Sequence, residues 1–117
     1  MSVLKTTTDL VPTARQEGNA VYLAVRGEID LHNSPELRGA LLEILANNKP
    51  TRLVIDMSQV PYMDSSAIAV LVESLRKLRA VNGKLFLVAV QPRVRSVLEI
   101  ARLNTIFSLV AQEADAK

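Results

Sequence analysis

The side chains best suited to chemistry lie together in residues 62–67, which read Tyr-Met-Asp-Ser-Ser-Ala. This segment follows a short run rich in β-branched residues and precedes a stretch with helical periodicity, so it should join a buried strand to a helix. Binding sites in parallel α/β sheets gather at such junctions. A purely structural interpretation is available, because Asp64 suits a helix N-cap and Ser65 and Ser66 suit the first turn.

The functional interpretation is that a serine of this segment accepts a phosphoryl group. The N-terminus of a helix favours an anion through its dipole and its free N–H groups, so the modification need not unfold the domain. A phosphoryl group adds roughly −1.5 to −2 charge. Next to Asp64 this charge would repel a docked partner, which predicts a switch based on local electrostatics.

The predicted helix after the two serines also offers a candidate docking surface. Its regularly spaced leucine and isoleucine residues predict one face that packs on the sheet. The residues directed toward solvent are then Ala69, Val70 and Glu73. An exposed apolar pair beside a modifiable serine indicates a contact for another protein. The alternative is that the buried face is wide and includes Val70.

Catalysis by this chain has little support in the sequence. A Ser–His–Asp hydrolase would have to combine His32, the only histidine, with Ser65 or Ser66 and with Asp30 or Asp64. The Gly-x-Ser-x-Gly elbow of such enzymes is absent. One histidine and no cysteine are too few for the usual zinc sites, and no glycine-rich loop is placed to hold a phosphate. We therefore expect a non-enzyme without metal or cofactor.

The composition indicates one globular domain over residues 1–117, with residues 1–12 and 112–117 predicted to be poorly ordered. Hydrophobic residues make up 49% of the chain, and the 14 basic and 12 acidic residues leave a net charge of +2. This balance, with 3% aromatic residues, does not favour nucleic-acid binding. The chain lacks an apolar run of about 18 residues and a secretory signal, so we expect a cytoplasmic protein without membrane insertion.

Strands and helices alternate along the chain. A hairpin is predicted from residues 13–17 and 20–28, with Gly18 and Asn19 at its turn. Further strands are predicted at 52–57, 84–90 and 106–110, and helices at 35–46, 65–82 and 92–101, where Ser34 caps the first helix and Gly83 ends the second. The order predicts an α/β fold with a mainly parallel sheet of four to five strands and three to four helices.

Glu28 and Asp30 follow the second strand of the hairpin and flank Ile29. Two carboxylates at this spacing can be an acid/base pair. No second catalytic element accompanies them, so a solvated loop at the end of a strand is the simpler interpretation.

Three stretches make the chain resemble the STAS domain family, and within it the anti-sigma factor antagonists of bacteria. They are Gly-Glu-Ile-Asp at 27–30, Leu-Val-Ile-Asp-Met-Ser at 53–58 followed by Met-Asp-Ser-Ser at 63–66, and Asn-Gly-Lys-Leu at 82–85 with Pro-x-Val at 92–94. The resemblance covers about residues 20–110. It implies a single STAS-like domain.

The resemblance also implies partners and site residues. In that family the first serine of the pair, here Ser65, is phosphorylated by an anti-sigma factor that is an ATP-dependent serine kinase. The unphosphorylated antagonist binds this kinase and frees a sigma factor, and a metal-dependent phosphatase of the PP2C type restores binding. Asp30 matches a position of the partner surface. We expect that surface to include also Glu28, Met63, Asp64, Ser66, Ala69, Val70 and Glu73.

One residue departs from the family pattern, and one alternative function stays open. Ala67 stands where the family usually has glycine, and we expect its methyl group to narrow the access of the kinase or to change the choice of partner. The alternative is a constitutive STAS subunit of a stressosome or of a lipid-transport ABC system, without a phosphorylation switch.

Overall fold

One sheet of six strands and three helices make up the architecture of residues 1–117, all of which the computed structural model describes. The strands are β1 (Ser2–Val3), β2 (Thr13–Glu17), β3 (Ala20–Arg26), β4 (Arg52–Gln59), β5 (Lys84–Val88) and β6 (Ser108–Val110). The helices are α1 (Ser34–Asn48), α2 (Ser65–Arg79) and α3 (Pro92–Ile100), and a 3-10 turn follows at Glu113–Asp115.

The strands lie side by side in chain order, so every crossover moves in the same direction. The pairs β1–β2 and β2–β3 are antiparallel, whereas β3–β4, β4–β5 and β5–β6 are parallel and each connected through a helix. Crossovers that share one hand, as parallel connections do, place all three helices on one face, and side chains of all three pack in one core with β4 and β5. The predicted mainly parallel α/β fold is confirmed. None of the helices combines the length and the apolar character that a membrane span needs.

The predicted number of strands, four to five, is one too few. The missing strand is β1, in which Ser2 pairs with Gln16 and Val3 with Arg15. A strand of two residues carries no alternating pattern that a sequence could display.

The central strands are covered on both faces, which explains their continuous apolar sequence. Leu53 and Ile55 of β4 pack in the main core on the helix side. Val54 points to the opposite face and packs with Phe86 and with Ala116 of the C-terminal tail. The tail therefore covers the face of the sheet that carries no helix.

Both chain ends have partners, although the sequence predicts poor order at 1–12 and 112–117. Val11 is buried in the main core, and the amide of Leu4 donates to the carbonyl of Ala14 at 2.9 Å. Near the C-terminus, Glu113 forms a 2.9 Å ion pair with Arg15. For the end residues without such contacts, poor order stays a prediction.

The helix boundaries follow the prediction closely, with one difference in capping. Asn33, not Ser34, is the N-cap residue of α1, and Ser34 is the buried first residue of the helix. Asp64 caps α2 as predicted, and α3 begins at Pro92 as predicted.

Candidate functional site

Two loops meet where β3 and β4 end. Ile29 and Met63 form an isolated parallel bridge. The amide of Ile29 donates to the carbonyl of Tyr62 at 3.1 Å, and the amide of Asp64 donates to the carbonyl of Ile29 at 3.0 Å. Gly27, at φ +90°, makes the turn that brings the first loop to the second. Residues 27–30 and 62–65, which are separate motifs in the sequence, thus form one surface.

Asp64 takes part both in the start of α2 and in the contact between the two loops. It accepts hydrogen bonds from the hydroxyl of Ser66 at 2.5 Å and from the amide of Ser66 at 2.9 Å. The hydrogen bond from the Ser66 hydroxyl, followed by the one from the Ser66 backbone amide, lowers the pKa of Asp64 below its ordinary value. Because the backbone amide of Asp64 donates to the carbonyl of Ile29 in the first loop, this residue both caps α2 and connects the two loops.

We expect the Asp64 carboxyl to titrate below the ordinary aspartate pKa of about 3.9, and Ser66→Ala to raise its pKa toward that value. A carboxyl whose pKa falls on folding stabilises the fold above its unfolded pKa, and this contribution disappears as the pH falls through the folded pKa. Carbon-detected NMR titration of wild type and Ser66→Ala measures the difference, with Ser65→Ala as the matched control. Equal pKa values in all three proteins would mean that the Ser66 hydroxyl does not hold the carboxylate.

Asp30 stabilises the turn that carries it and remains half accessible. Its carboxylate accepts from the amide of His32 at 2.9 Å, and its own amide donates to the side chain of Asn33 at 2.8 Å. The amide group of Asn33 also donates to the carbonyl of Glu28 at 2.9 Å. The side chain of Asp30 is 52% exposed, and Glu28 is exposed as well. Both carboxylates predicted for the partner surface are therefore presented on a fixed loop.

The two serine hydroxyls differ in their availability. Ser66 donates its hydroxyl to Asp64, whereas Ser65 is exposed as the first residue of α2. The imidazole of His32 is 96% exposed, with its Nδ1 3.7 Å from an oxygen of Asp30. The Ser66 hydroxyl thus bonds to a carboxylate and not to the imidazole that the hydrolase interpretation requires. The free nucleophilic oxygen of the pair belongs to Ser65.

The predicted outward orientation of Val70 is wrong. Val70 is 6% exposed and Met63 is 1% exposed, and both belong to the main core. Ala69 does face solvent. Glu73 is half-buried and is engaged by Arg38 of α1 through two hydrogen bonds of 2.7 and 2.9 Å. Because α2 packs against α1 as well as the sheet, its buried face is wider than the sequence indicates.

Ala67, whose methyl group is predicted to narrow the access of a kinase or to change the choice of partner, cannot act on a partner by direct contact. Ala67 is 0% exposed and lies in the main core. Its methyl group fills space beneath the first turn of α2 and does not face an approaching protein.

Two residues beside this surface were not predicted from the sequence. Leu31 lies between Asp30 and His32 with 73% of its surface exposed. The guanidinium of Arg93 lies 4.9 Å from the centre of the Tyr62 ring, which places the start of α3 beside the second loop. A leucine inside a polar turn was the available signal for Leu31, whereas the contact of Arg93 depends on the tertiary fold.

The fold and this surface define a class: a small α/β module that displays one free serine hydroxyl at a helix N-terminus, on a surface shared by two loops. The sequence model for the STAS domain matches residues 11–116. The chain belongs to the STAS domain family, which confirms the resemblance found in its motifs.

Its relatives in this family include anti-sigma factor antagonists. The anti-sigma-F factor antagonist RsfB of Mycobacterium tuberculosis is 34% identical over 106 residues, covering 91% of this chain and 84% of the relative. The anti-sigma-B factor antagonist of Listeria monocytogenes is 32% identical over 95 residues, covering 81% of this chain and 82% of the relative.

A solved structure shows the same fold. The anti-sigma factor antagonist SpoIIAA in its unphosphorylated form superposes with a TM-score of 0.77 over 88% of this chain and 90% of that one, at 24% identity. The phosphorylated form of SpoIIAA from Bacillus gives a TM-score of 0.69 over 88% of this chain and 93% of that one, at 23% identity. At these identities the likeness establishes the α/β fold.

Proposed function

We propose that this protein is an anti-sigma factor antagonist that binds an anti-sigma factor serine kinase, frees a sigma factor, and is released when Ser65 is phosphorylated. One observation carries the proposal: the exposed Ser65 begins α2 on a loop surface shared with Asp30, in a chain whose relatives are anti-sigma factor antagonists. The chain is the substrate of the kinase, acts in the cytoplasm and needs no resident cofactor.

The proposed reaction is a phosphoryl transfer. The Ser65 oxygen attacks the γ-phosphorus of ATP bound to the kinase, the bond to the β-phosphate oxygen breaks, and the hydroxyl proton leaves, which gives phosphoserine and ADP. The N-terminus of α2 favours the resulting dianion, so the domain stays folded. A PP2C-type phosphatase returns Ser65 to its hydroxyl form by hydrolysis.

The charge of the surface explains how this modification acts as a switch. Glu28, Asp30 and Asp64 make the surface acidic, so the partner that fits it offers basic groups or hydrogen-bond donors. Phosphoserine would place a further −1.5 to −2 charge beside the ionised Asp64. Burying that charge in a contact shaped for a hydroxyl costs several kcal/mol per unpaired ion. Phosphorylation therefore favours the dissociated state.

We expect Ser65→Asp and Ser65→Glu to weaken the complex at least about 30-fold, the effect typical of an interface hot spot, and Ser65→Ala to bind like wild type. Affinity capture with these baits, followed by mass spectrometry, identifies the kinase. Calorimetry with the purified kinase then gives the dissociation constants. Ser96→Asp, an exposed serine of α3, is the matched control.

The same experiment contains the result that would contradict the proposal. If wild type, Ser65→Ala and Ser65→Asp retained the same transporter components with equal affinity, Ser65 would be only a helix-start residue. The chain would then be a constitutive STAS subunit, for example of a stressosome or a lipid-transport ABC system.

A further inference from the structure

A second candidate site lies at the opposite end of α2 from Ser65. The C-terminal ends of α1 and α2 enclose a groove of about 510 Å³, within the range of small-molecule sites. Leu42 and Leu45 of α1 line one side, Leu78 and Val81 line the other, and Pro50 contributes from the connection to β4. The groove is therefore apolar along most of its length.

Two of these apolar side chains lie outside the hydrophobic core. Leu42 and Val81 pack in neither of the two core clusters, and Val81 is 58% exposed. Leu45 and Leu78, by contrast, contact the main core. The groove thus has a wall of core residues and an apolar rim that remains in contact with water, which is characteristic of a binding surface.

The charges at the groove are all of one sign. Lys49 and Lys77 line it, and its lining contains no acidic residue. Neither lysine has an ion-pair partner within 4.0 Å. Glu73 lies one turn before Lys77 and attracts it electrostatically, but the Glu73 carboxylate is hydrogen-bonded to Arg38 and not to Lys77. The last carbonyls of α2 accept hydrogen bonds from the turn that follows. The two ammonium groups are left to attract an anion.

We propose that this groove binds a single-chain fatty carboxylate. The hydrocarbon chain would lie along the wall formed by Leu42, Leu45 and Val81, and the carboxylate would pair with Lys49 and Lys77. Lys77 follows Ser65 by twelve residues of α2, or about 18 Å along the helix axis. The groove is consequently separate from the loop surface, and it can be occupied whether or not Ser65 is phosphorylated.

The test is a titration of the ¹⁵N-labelled full chain with octanoate, decanoate and dodecanoate below their micelle concentrations. We expect changes in the backbone amide chemical shifts only for residues at the C-terminal ends of α1 and α2. Each methylene that enters the groove should tighten binding about fourfold until the groove is full. No saturable shift with dodecanoate, or shifts spread over the whole surface, would overturn the proposal.

Matched charge variants separate this site from unspecific adsorption. Lys49→Gln with Lys77→Gln should weaken dodecanoate binding about tenfold, whereas Lys5→Gln with Lys84→Gln has the same net charge and should bind like wild type. Equal affinity of the two double variants, or of dodecyltrimethylammonium and dodecanoate, would overturn the proposal. An acidic amphipathic peptide that bound more tightly than dodecanoate would also overturn the proposal. The same holds if, without ligand, the chemical shifts of the groove residues changed with protein concentration, because a second copy of the chain would then occupy the groove.

Discussion

Gly83→Ala is expected to lower the free energy of unfolding by about 3 kcal/mol, the upper range for overpacking a rigid site. A Cβ atom at this position would lie 2.8 Å from the carbonyl oxygen of Thr51 and 3.0 Å from that of Leu78. Both oxygens are fixed, because Thr51 accepts from the amide of Lys84 at 2.9 Å and Leu78 accepts from Gly83 itself at 2.7 Å. Neither oxygen can move without losing a backbone hydrogen bond.

Urea unfolding of a second glycine variant supplies the control. An added Cβ at Gly39, on the exposed side of α1, meets no atom within 4 Å. Gly39→Ala should therefore stabilise the protein by about 0.5 to 1 kcal/mol through helix propensity. Linear extrapolation of the urea data gives the free energy of unfolding of each variant. If the value for Gly83→Ala lay within about 0.5 kcal/mol of wild type, the two backbone segments would not be held rigidly at their close approach.

The sequence pattern indicates correctly that a glycine is needed at position 83, but the structure shows a different reason for that need. The helix pattern predicts that Gly83 ends α2, as glycine often does because it readily adopts a left-handed conformation. In the structure the left-handed residue is Asn82, at φ +58°. Gly83 is needed because the turn after α2 crosses the turn before β4. Glycine in a sequence marks a backbone requirement, but what its missing side chain would meet depends on the tertiary fold.

Local patterns predicted most of the fold. The alternation of Val21, Leu23 and Val25 places three buried side chains on one face of β3, and the apolar run in β4 indicates a strand covered on both faces. These signals repeat within a few residues and are visible without tertiary information. Capping of α2 by Asp64 is equally local, since donor and acceptor lie two residues apart.

The candidate site was predictable only in part, because it joins separate stretches of chain. The bridge between Ile29 and Met63 brings Asp30 beside the start of α2, and only the family resemblance suggested that proximity. The packing of α2 on both α1 and the sheet buries Val70 and Ala67. Helical periodicity gives the direction of the buried face, but its width depends on how many elements cover the helix.

The neighbouring positions Ala69 and Val70 give the second large prediction, with the same substitution at each. Val70→Asp would place a carboxylate in the main core at a position that is 6% exposed, without a cation to pair with it. We expect it to cost about 4 kcal/mol or to unfold the domain. Ala69→Asp lies on the exposed side of α2 and should change the free energy of unfolding by less than about 0.5 kcal/mol.

Urea unfolding and partner affinity together separate folding from docking at these two positions. If Ala69 belongs to the proposed partner surface, Ala69→Asp should weaken the kinase complex at least about tenfold while its unfolding midpoint stays that of wild type. Unchanged affinity would remove Ala69 from that surface and confine the contact to the two loops around Ser65. A stable, fully folded Val70→Asp would contradict the packing of α2, because a buried unpaired carboxylate cannot be accommodated unless the helix rotates and exposes it.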